Sequence, residues 1–291
     1  MRRVSLKHIP LEPTPLSGWE TPAHRILFGL MIASALLVGL RLAHVPIFDP
    51  VARWPEGFFL VVAAGSTLVS LARELPVQNV MLAFVVITLI AGGIATAGAI
   101  AGVPFGPISY TDRIGQDLFH PLPWTIPLLW LVLVLNARGT ARLLLRRWRH
   151  SPVYGYWLIG IATLLVLAFD IGFEPIATHV THYWIWQPAK TSFVWYGAPW
   201  SNFAGWILTT LLLLAFALPA LINKKPGTHP PVWHPLVVWT ILHALVATAA
   251  FAGKQMTLGV FVVAIAVVII LAVVMSVRIT DQILDEASDK E

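Results

Sequence analysis

Two carboxylates, Asp170 and Glu174, stand four residues apart near the end of a hydrophobic segment. Carboxylates are costly near hydrocarbon and usually mark functional sites there. Residues four apart share one face of a helix, and two carboxylates held together in a low dielectric cannot both ionise cheaply, so one should hold a proton. Such a pair can donate and accept protons. A plain helix end facing interfacial water is the alternative, and Pro175 is expected to end the regular helix near Glu174.

A second polar stretch, 103–112, follows an earlier hydrophobic segment and contains Tyr110 and Asp112. Gly106-Pro107 within it allows the backbone to turn back toward the membrane. Asp112 is therefore a third candidate catalytic carboxylate. An ordinary surface pair with Arg113 is its alternative role.

The densest aromatic stretch of the chain follows Glu174 and comprises Tyr183, Trp184, Trp186, Trp195, Tyr196, Trp200 and Trp206. Tryptophan and tyrosine form belts at membrane interfaces, but they could also line a pocket for a long apolar ligand. Aromatic faces stabilise a cation within about 6 Å of the ring, so an acid pair beside them suits chemistry through a carbocation. Asn202 could orient a water molecule or a carboxylate, or cap the sixth helix.

Metal chemistry has weaker support. His179 and His182 follow Glu174, and with Asp170 they could ligate a metal ion. The paired HxxHH clusters of membrane di-iron hydroxylases are missing, however, so hydrogen bonding at the interface is favoured and no metal is predicted. The chain contains no cysteine, which excludes disulfides, thiolate nucleophiles and Cys-ligated zinc or iron–sulfur centres.

The elements that must position these residues are membrane-spanning helices. Of the 291 residues, 57% are hydrophobic and 11% are charged, whereas about a quarter of the residues in a soluble domain are charged. The sequence predicts an all-α polytopic membrane protein, and the expected spans are roughly 26–44, 57–72, 78–101, 122–136, 153–173, 203–222, 233–252 and 257–277. These form a single membrane domain (26–277) between an N-terminal segment (1–25) and an acidic C-terminal tail (278–291).

Lysine and arginine indicate the orientation. They are concentrated in the N-terminal segment and in the 137–152 loop, which contains five arginines. The positive-inside rule then places both termini in the cytoplasm. The loops 102–121 and 174–202 fall together on the opposite side, where the two polar stretches can meet. The net charge of +5 is read as this topology signal, because no nucleic-acid-binding motif accompanies it.

Several blocks of the polar stretches form a recognisable pattern: Pro104-Phe105-Gly106, Tyr110-Thr111-Asp112, Gly115, Pro123, Ile126-Pro127, Trp130, Asp170, Glu174-Pro175, Tyr183-Trp184-Ile185-Trp186 and the block from Tyr196 to Trp206. Through these blocks the chain resembles the carotenoid biosynthesis protein family, which includes acyclic carotenoid 1,2-hydratases and bisanhydrobacterioruberin hydratases. Ile108 stands where that family commonly has tyrosine, and Glu174 stands where it usually has aspartate before the proline.

The resemblance implies an enzyme that adds water to the terminal C1=C2 double bond of an acyclic carotenoid end. It implies an acid supplied by the Asp170/Glu174 pair, a water molecule positioned by Asp112, and no redox cofactor. The substrate would enter laterally from the bilayer of the cell (inner) membrane, with other carotenoid-pathway enzymes as expected partners. The residues expected to bind the end group are Phe105, Tyr110, Trp184, Trp186, Tyr196, Asn202 and Trp206.

Two other functions remain open on the sequence. A cyclase or isomerase acting on carotenoid or isoprenoid ends would share the protonation chemistry. A non-catalytic carotenoid-binding or transport protein would use the buried carboxylates for structure or proton coupling. A metal-dependent hydroxylase ranks last.

Overall fold

A computed structural model describes residues 20–46, 54–187, 194–222 and 230–288. Within these ranges it contains eight helices long and apolar enough to cross a membrane, which confirms the predicted number. Most of the predicted segment 1–25 lies outside the described residues. The helices are α1 Glu20–Leu42, α2 Trp54–Ala72, α3 Val77–Ala101, α4 Thr125–Leu144, α5 Tyr154–His179, α6 Trp200–Leu221, α7 His234–Ala252 and α8 Met256–Ser288.

The prediction that Pro175 ends α5 near Glu174 is wrong, because the helix continues through the proline to His179. A proline has no N–H, so the helical hydrogen bond to the carbonyl four residues earlier is lost. The indole Nε1 of Trp195 donates to that carbonyl, the Ile171 oxygen, at 3.1 Å. A side chain from a later loop therefore replaces the missing donor, and Glu174 stays on the same helical face as Asp170.

Two other helices extend beyond their predicted ends. α4 continues past 136 to Leu144 although it includes Arg138, because the buried guanidinium Nη2 donates to the Leu221 carbonyl at 2.7 Å. α8 continues past 277 to Ser288, so most of the charged tail is helical. These two predicted spans end near charged residues, whereas in the structure only the apolar part of each helix ends there and the helix itself continues.

The two polar stretches meet, as the topology requires. Strand β1 (Ile108–Tyr110) pairs antiparallel with β4 (Trp184–Trp186), and Tyr110 lies opposite Trp184. Two short hairpins complete the loops: β2 (Asp117–Phe119) with β3 (Leu122–Pro123), and β5 (Val194–Trp195) with β6 (Ala198–Pro199). The strands therefore cover the end of the bundle at which Glu174 lies.

Helix α4 forms the centre of the bundle. It packs against α2, α3, α5, α7 and α8. Within its apolar stretch 78% of the residues are buried, against 28% for α1 and for α8. Four consecutive residues, 131–134, are fully buried. A helix that is apolar and buried on all sides is a core element, and α1 and α8 are left to face lipid.

Close packing of α4 on α7 depends on Gly139, and we expect Gly139→Ala to destabilise the protein. A Cβ there would lie 2.4 Å from ring atoms of Pro235, and overpacking of this kind costs about 1–3 kcal/mol. Gly160→Ala in α5 is the control, because its added Cβ would meet nothing within 4 Å. Thermal unfolding in detergent should separate the two variants; equal stability would contradict the packing argument.

Candidate active site

The carboxylates of Asp170 and Glu174 are joined by one amide. Both side chains are completely buried, and Nδ2 of Asn202, near the start of α6, lies 3.3 Å from Asp170 Oδ2 and 3.2 Å from Glu174 Oε2. Trp206 Nε1 lies 3.1 Å from Asn202 Oδ1. An indole N–H can only donate, so Trp206 fixes the amide with its NH₂ group toward the two carboxylates.

Two further donors reach Glu174 from strand β4. The indole Nε1 atoms of Trp184 and Trp186 donate to Glu174 Oε1 at 2.9 Å and 2.6 Å. Alternate residues of a strand point to the same side, and the residue between them, Ile185, is 56% exposed on the other side. Glu174 therefore accepts three N–H groups, whereas Asp170 accepts one and its buried Oδ1 has no partner among the described residues.

A small cavity borders Glu174. Its volume is about 20 Å³, which is room for about one water molecule. The rings of Trp130 and Trp206 lie 4.3 Å apart, and Tyr110 contacts Trp184 edge to face at 6.2 Å. The lining residues are mostly aromatic and apolar: Phe105, Ile108, Tyr110, Ile126, Leu129, Trp130, Glu174, Trp184, Asn202 and Trp206.

Tyr110 is the hydroxyl-bearing residue of this lining. Its pKa lies above the ordinary value, because burial disfavours the tyrosinate and the nearby Glu174 charge disfavours it further. Tyr110 therefore remains a neutral hydroxyl that can donate or accept a hydrogen bond, and it adds no charge to the cavity.

Five of the seven residues expected to bind the end group line this cavity: Phe105, Tyr110, Trp184, Asn202 and Trp206. Trp186 donates a hydrogen bond to Glu174 but does not line the cavity.

Four other candidates lie elsewhere. Asp112 is exposed on the loop after β1 and does not line the cavity. Tyr196 is 39% exposed, and its carbonyl lies 2.8 Å from His179 Nε2. His182 Nδ1 lies 2.8 Å from the Thr178 carbonyl. In the described ranges, no group of three or more His, Asp or Glu side chains is placed to hold a metal ion.

Glu56, at the start of α2, is a third buried carboxylate and was not among the residues predicted from the sequence. It forms an ion pair with Arg41 and accepts a hydrogen bond from the Tyr183 hydroxyl at 3.1 Å. Burial, and to a smaller extent the Glu56 charge, raise the pKa of Tyr183 well above its ordinary value. The sequence does contain a signal for this ion pair, because Arg41 lies near the end of one hydrophobic segment and Glu56 near the start of the next.

Glu56 borders a second cavity, of about 70 Å³, among α1, α2, α4, α5 and α7. Its lining is almost wholly apolar and includes Phe59, Phe169 and Phe173. Leu129 lines this cavity and the smaller one beside Glu174. The two spaces are therefore neighbours, separated by the α4 face that carries Leu129.

Fold and site define a polytopic membrane protein with a buried carboxylate pair under an aromatic cover. The chain belongs to the carotenoid biosynthesis protein family, whose model matches residues 56–277. It is similar to the bisanhydrobacterioruberin hydratase of Haloarcula japonica, with 33% identity over 128 residues, which is 44% of this chain and 41% of that relative's length. Comparison with solved structures finds no significant match.

The hydrogen bond from Trp195 to the Ile171 carbonyl of α5 should contribute measurably to the free energy of unfolding. Trp195→Phe keeps the ring but leaves the half-buried Ile171 carbonyl without the donor that replaces the Pro175 N–H, and loss of a typical hydrogen bond costs about 0.5–1.5 kcal/mol. Trp200→Phe is the control, because Trp200 is 56% exposed. Unfolding in detergent should show the loss in Trp195→Phe alone; a similar loss in both variants would mean that the indole bond is unimportant.

Proposed function

We propose that this chain is a carotenoid hydratase that adds water to the terminal C1=C2 double bond of an acyclic carotenoid end. The observation that carries the proposal is a buried carboxyl, Glu174, which accepts three N–H donors, lies beside a second buried carboxyl and borders an aromatic cavity. Membership of the family and the similarity to the bisanhydrobacterioruberin hydratase of Haloarcula japonica support the same reaction.

The reaction needs one proton and one water molecule. The carboxyl of Glu174 gives its proton to C2, the π electron pair forms the new C–H bond, and a tertiary cation remains at C1. The oxygen of a water molecule bonds to C1, and the Glu174 carboxylate then takes the excess proton from that oxygen. The alkene gains the elements of water, Glu174 returns to its starting state, and no redox cofactor is consumed.

Glu174 is the better placed acid of the pair. It lines the cavity, whereas Asp170 does not. As the proton leaves, negative charge develops on Glu174, and the N–H groups of Trp184, Trp186 and Asn202 are already oriented toward it. Preorganised donors of this kind stabilise a transition state more than the neutral ground state.

Asp170 is assigned to positioning. It shares the Asn202 amide with Glu174 and is buried beside it. Two adjacent buried carboxyls hold one proton between them more readily than they ionise together. A negative charge on Asp170 therefore favours the protonated form of Glu174, and Asp170 does this without touching the substrate.

The aromatic lining suits the cation. Trp130, Trp184, Trp206 and Tyr110 surround the space beside Glu174, and aromatic faces attract a cation through the ring quadrupole. Their apolar surroundings also limit the number of water molecules near the cation. Capture by one positioned water gives the tertiary alcohol.

Substrate entry requires movement. A cavity of about 20 Å³ admits a water molecule but not a branched carotenoid end, so the lining side chains must separate when the end group enters. The neighbouring apolar cavity of about 70 Å³ is the proposed route for the adjoining part of the polyene, which comes from the bilayer. The membrane is proposed to be the cell (inner) membrane, with the arginine-rich loop in the cytoplasm and the site at the opposite side.

The acid pair is tested by its amide variants in a host that accumulates lycopene. Glu174→Gln is expected to abolish hydration, and Asp170→Asn to reduce it strongly, because each removes a proton-holding group while keeping the shape. Asp117→Asn is the control, since Asp117 is exposed and contacts His120 at 3.1 Å. Chromatography with mass detection, at equal protein levels, measures product heavier by one water at each modified end.

Full activity in both amide variants would refute the assignment of the acid. A wild-type product of unchanged mass but altered retention would instead indicate a cyclase or isomerase. Recovery of unaltered pigment bound to the protein would indicate a binding or transport role.

The indole donors are tested separately. Trp184→Phe and Trp186→Phe keep an aromatic ring but each remove one N–H group from Glu174, and a hydrogen bond to a charged group contributes about 1.5–3 kcal/mol. The turnover rate should fall about tenfold to a hundredfold. Trp157→Phe, at a residue 59% exposed on α5, should keep the wild-type rate. Unchanged turnover in both β4 variants would contradict stabilisation by these donors.

A further inference from the structure

A polar cavity, separate from the two described above, lies at the end of α4 that is distant from Glu174. Its volume is about 160 Å³, against about 20 Å³ for the cavity beside Glu174. It is bordered by α2, α4, α7 and the start of α5, and four arginines line it: Arg138, Arg142, Arg146 and Arg149. Arg138 is about 12 Å along the helix axis from Trp130, so this cavity is separate from the proposed active site.

Positive charge in this cavity exceeds negative charge. Glu74 is the carboxylate that lines it, and it pairs with Arg142 at 3.0 Å. Asp281 on α8 lies 3.4 Å from Arg146. Among the described residues, neither Arg138 nor Arg149 has a carboxylate within ion-pair distance. Within the described part of the chain, two guanidinium groups of the lining therefore have no carboxylate paired with them.

Two buried nitrogen atoms of residues that line the cavity lack hydrogen-bond partners, which also favours a bound anion. Arg138 is 5% exposed, and although its Nη2 binds the Leu221 carbonyl, its buried Nε has no partner among the described residues. His234, which also lines the cavity, has a buried Nε2 without a partner in the same part of the chain. A buried guanidinium N–H left without an acceptor is costly.

The positive charges of neighbouring arginines in the lining also repel one another. Burial and the neighbouring charge of Arg146 lower the pKa of the Arg149 guanidinium below its ordinary value. A bound anion would relieve this repulsion. Guanidinium groups match phosphate oxygens with two parallel hydrogen bonds.

We propose that this cavity binds a phosphate group, carried either by the headgroup of an anionic membrane lipid or by a free phosphate ion. The cavity lies among helix ends, and basic pockets between membrane helices bind such headgroups. A cytoplasmic position for the 137–152 loop would place it at the leaflet surface. The binding is independent of the hydratase proposal, since it uses none of the residues around Glu174.

The test is a binding titration of the full chain in a neutral detergent. The probes are inorganic phosphate, dioctanoyl phosphatidylglycerol and dioctanoylglycerol, which has the same acyl chains but no phosphate. Calorimetry follows each titration at one fixed low salt concentration. Arg142→Gln and Arg149→Gln are the cavity variants, and Arg147→Gln is the matched control, because Arg147 lies in the same loop, is exposed and does not line the cavity.

We expect saturable binding that weakens about tenfold or more in both cavity variants and stays unchanged in Arg147→Gln. Binding of the phosphatidylglycerol without binding of inorganic phosphate identifies a lipid headgroup as the source; binding of inorganic phosphate with the same variant pattern identifies a free anion. The proposal is overturned if neither phosphate probe saturates, if dioctanoylglycerol binds equally well, or if Arg147→Gln weakens binding as much as the cavity variants.

Discussion

Two carboxylates buried in one face of a membrane helix need hydrogen-bond donors or a proton, because neither lipid nor a packed core can replace the water they lose. In this protein the donors come from outside α5. Trp184 and Trp186 reach Glu174 from β4, and Asn202 reaches both carboxylates from α6. The loops must therefore fold back over the bundle end, and the pairing of β1 with β4 holds them there.

Helix α4 connects the two polar regions of the molecule. Its first turns contribute Ile126, Leu129 and Trp130 to the cavity beside Glu174, and its later turns carry Arg138 and Arg142 into the arginine-lined cavity. The fully buried residues 131–134 lie between them. One central helix thus carries an acidic site and a basic site at opposite ends of the bundle, with a fully buried apolar segment between them.

Much of this arrangement was readable in the sequence, for identifiable reasons. Long apolar runs give the number of helices, and the four-residue spacing of Asp170 and Glu174 places both on one face. The continuation of α5 could not be read locally, because the donor that compensates Pro175 is Trp195, twenty residues further along the chain. The exposed position of Asp112 could not be read either, because sequence reports the type of a residue but not the direction of its side chain in a loop. The pairing of Glu56 with Arg41 could have been read from the opposite charges at the adjoining ends of two hydrophobic segments, whereas its hydrogen bond from Tyr183 could not, because Tyr183 lies in a distant loop.

The position of Glu174 at one end of the bundle has a consequence for a pigment with two chemically equivalent ends. An extended carotenoid that spans the bilayer presents a single terminus to the depth of this site, while its other terminus rests in the opposite leaflet. Once the first terminus carries a hydroxyl group, that polar end is anchored at the nearer membrane surface. For the proposed reaction, symmetrical modification therefore requires the whole molecule to reverse its direction across the bilayer, and the rate of that reversal would set the ratio of singly to doubly modified pigment.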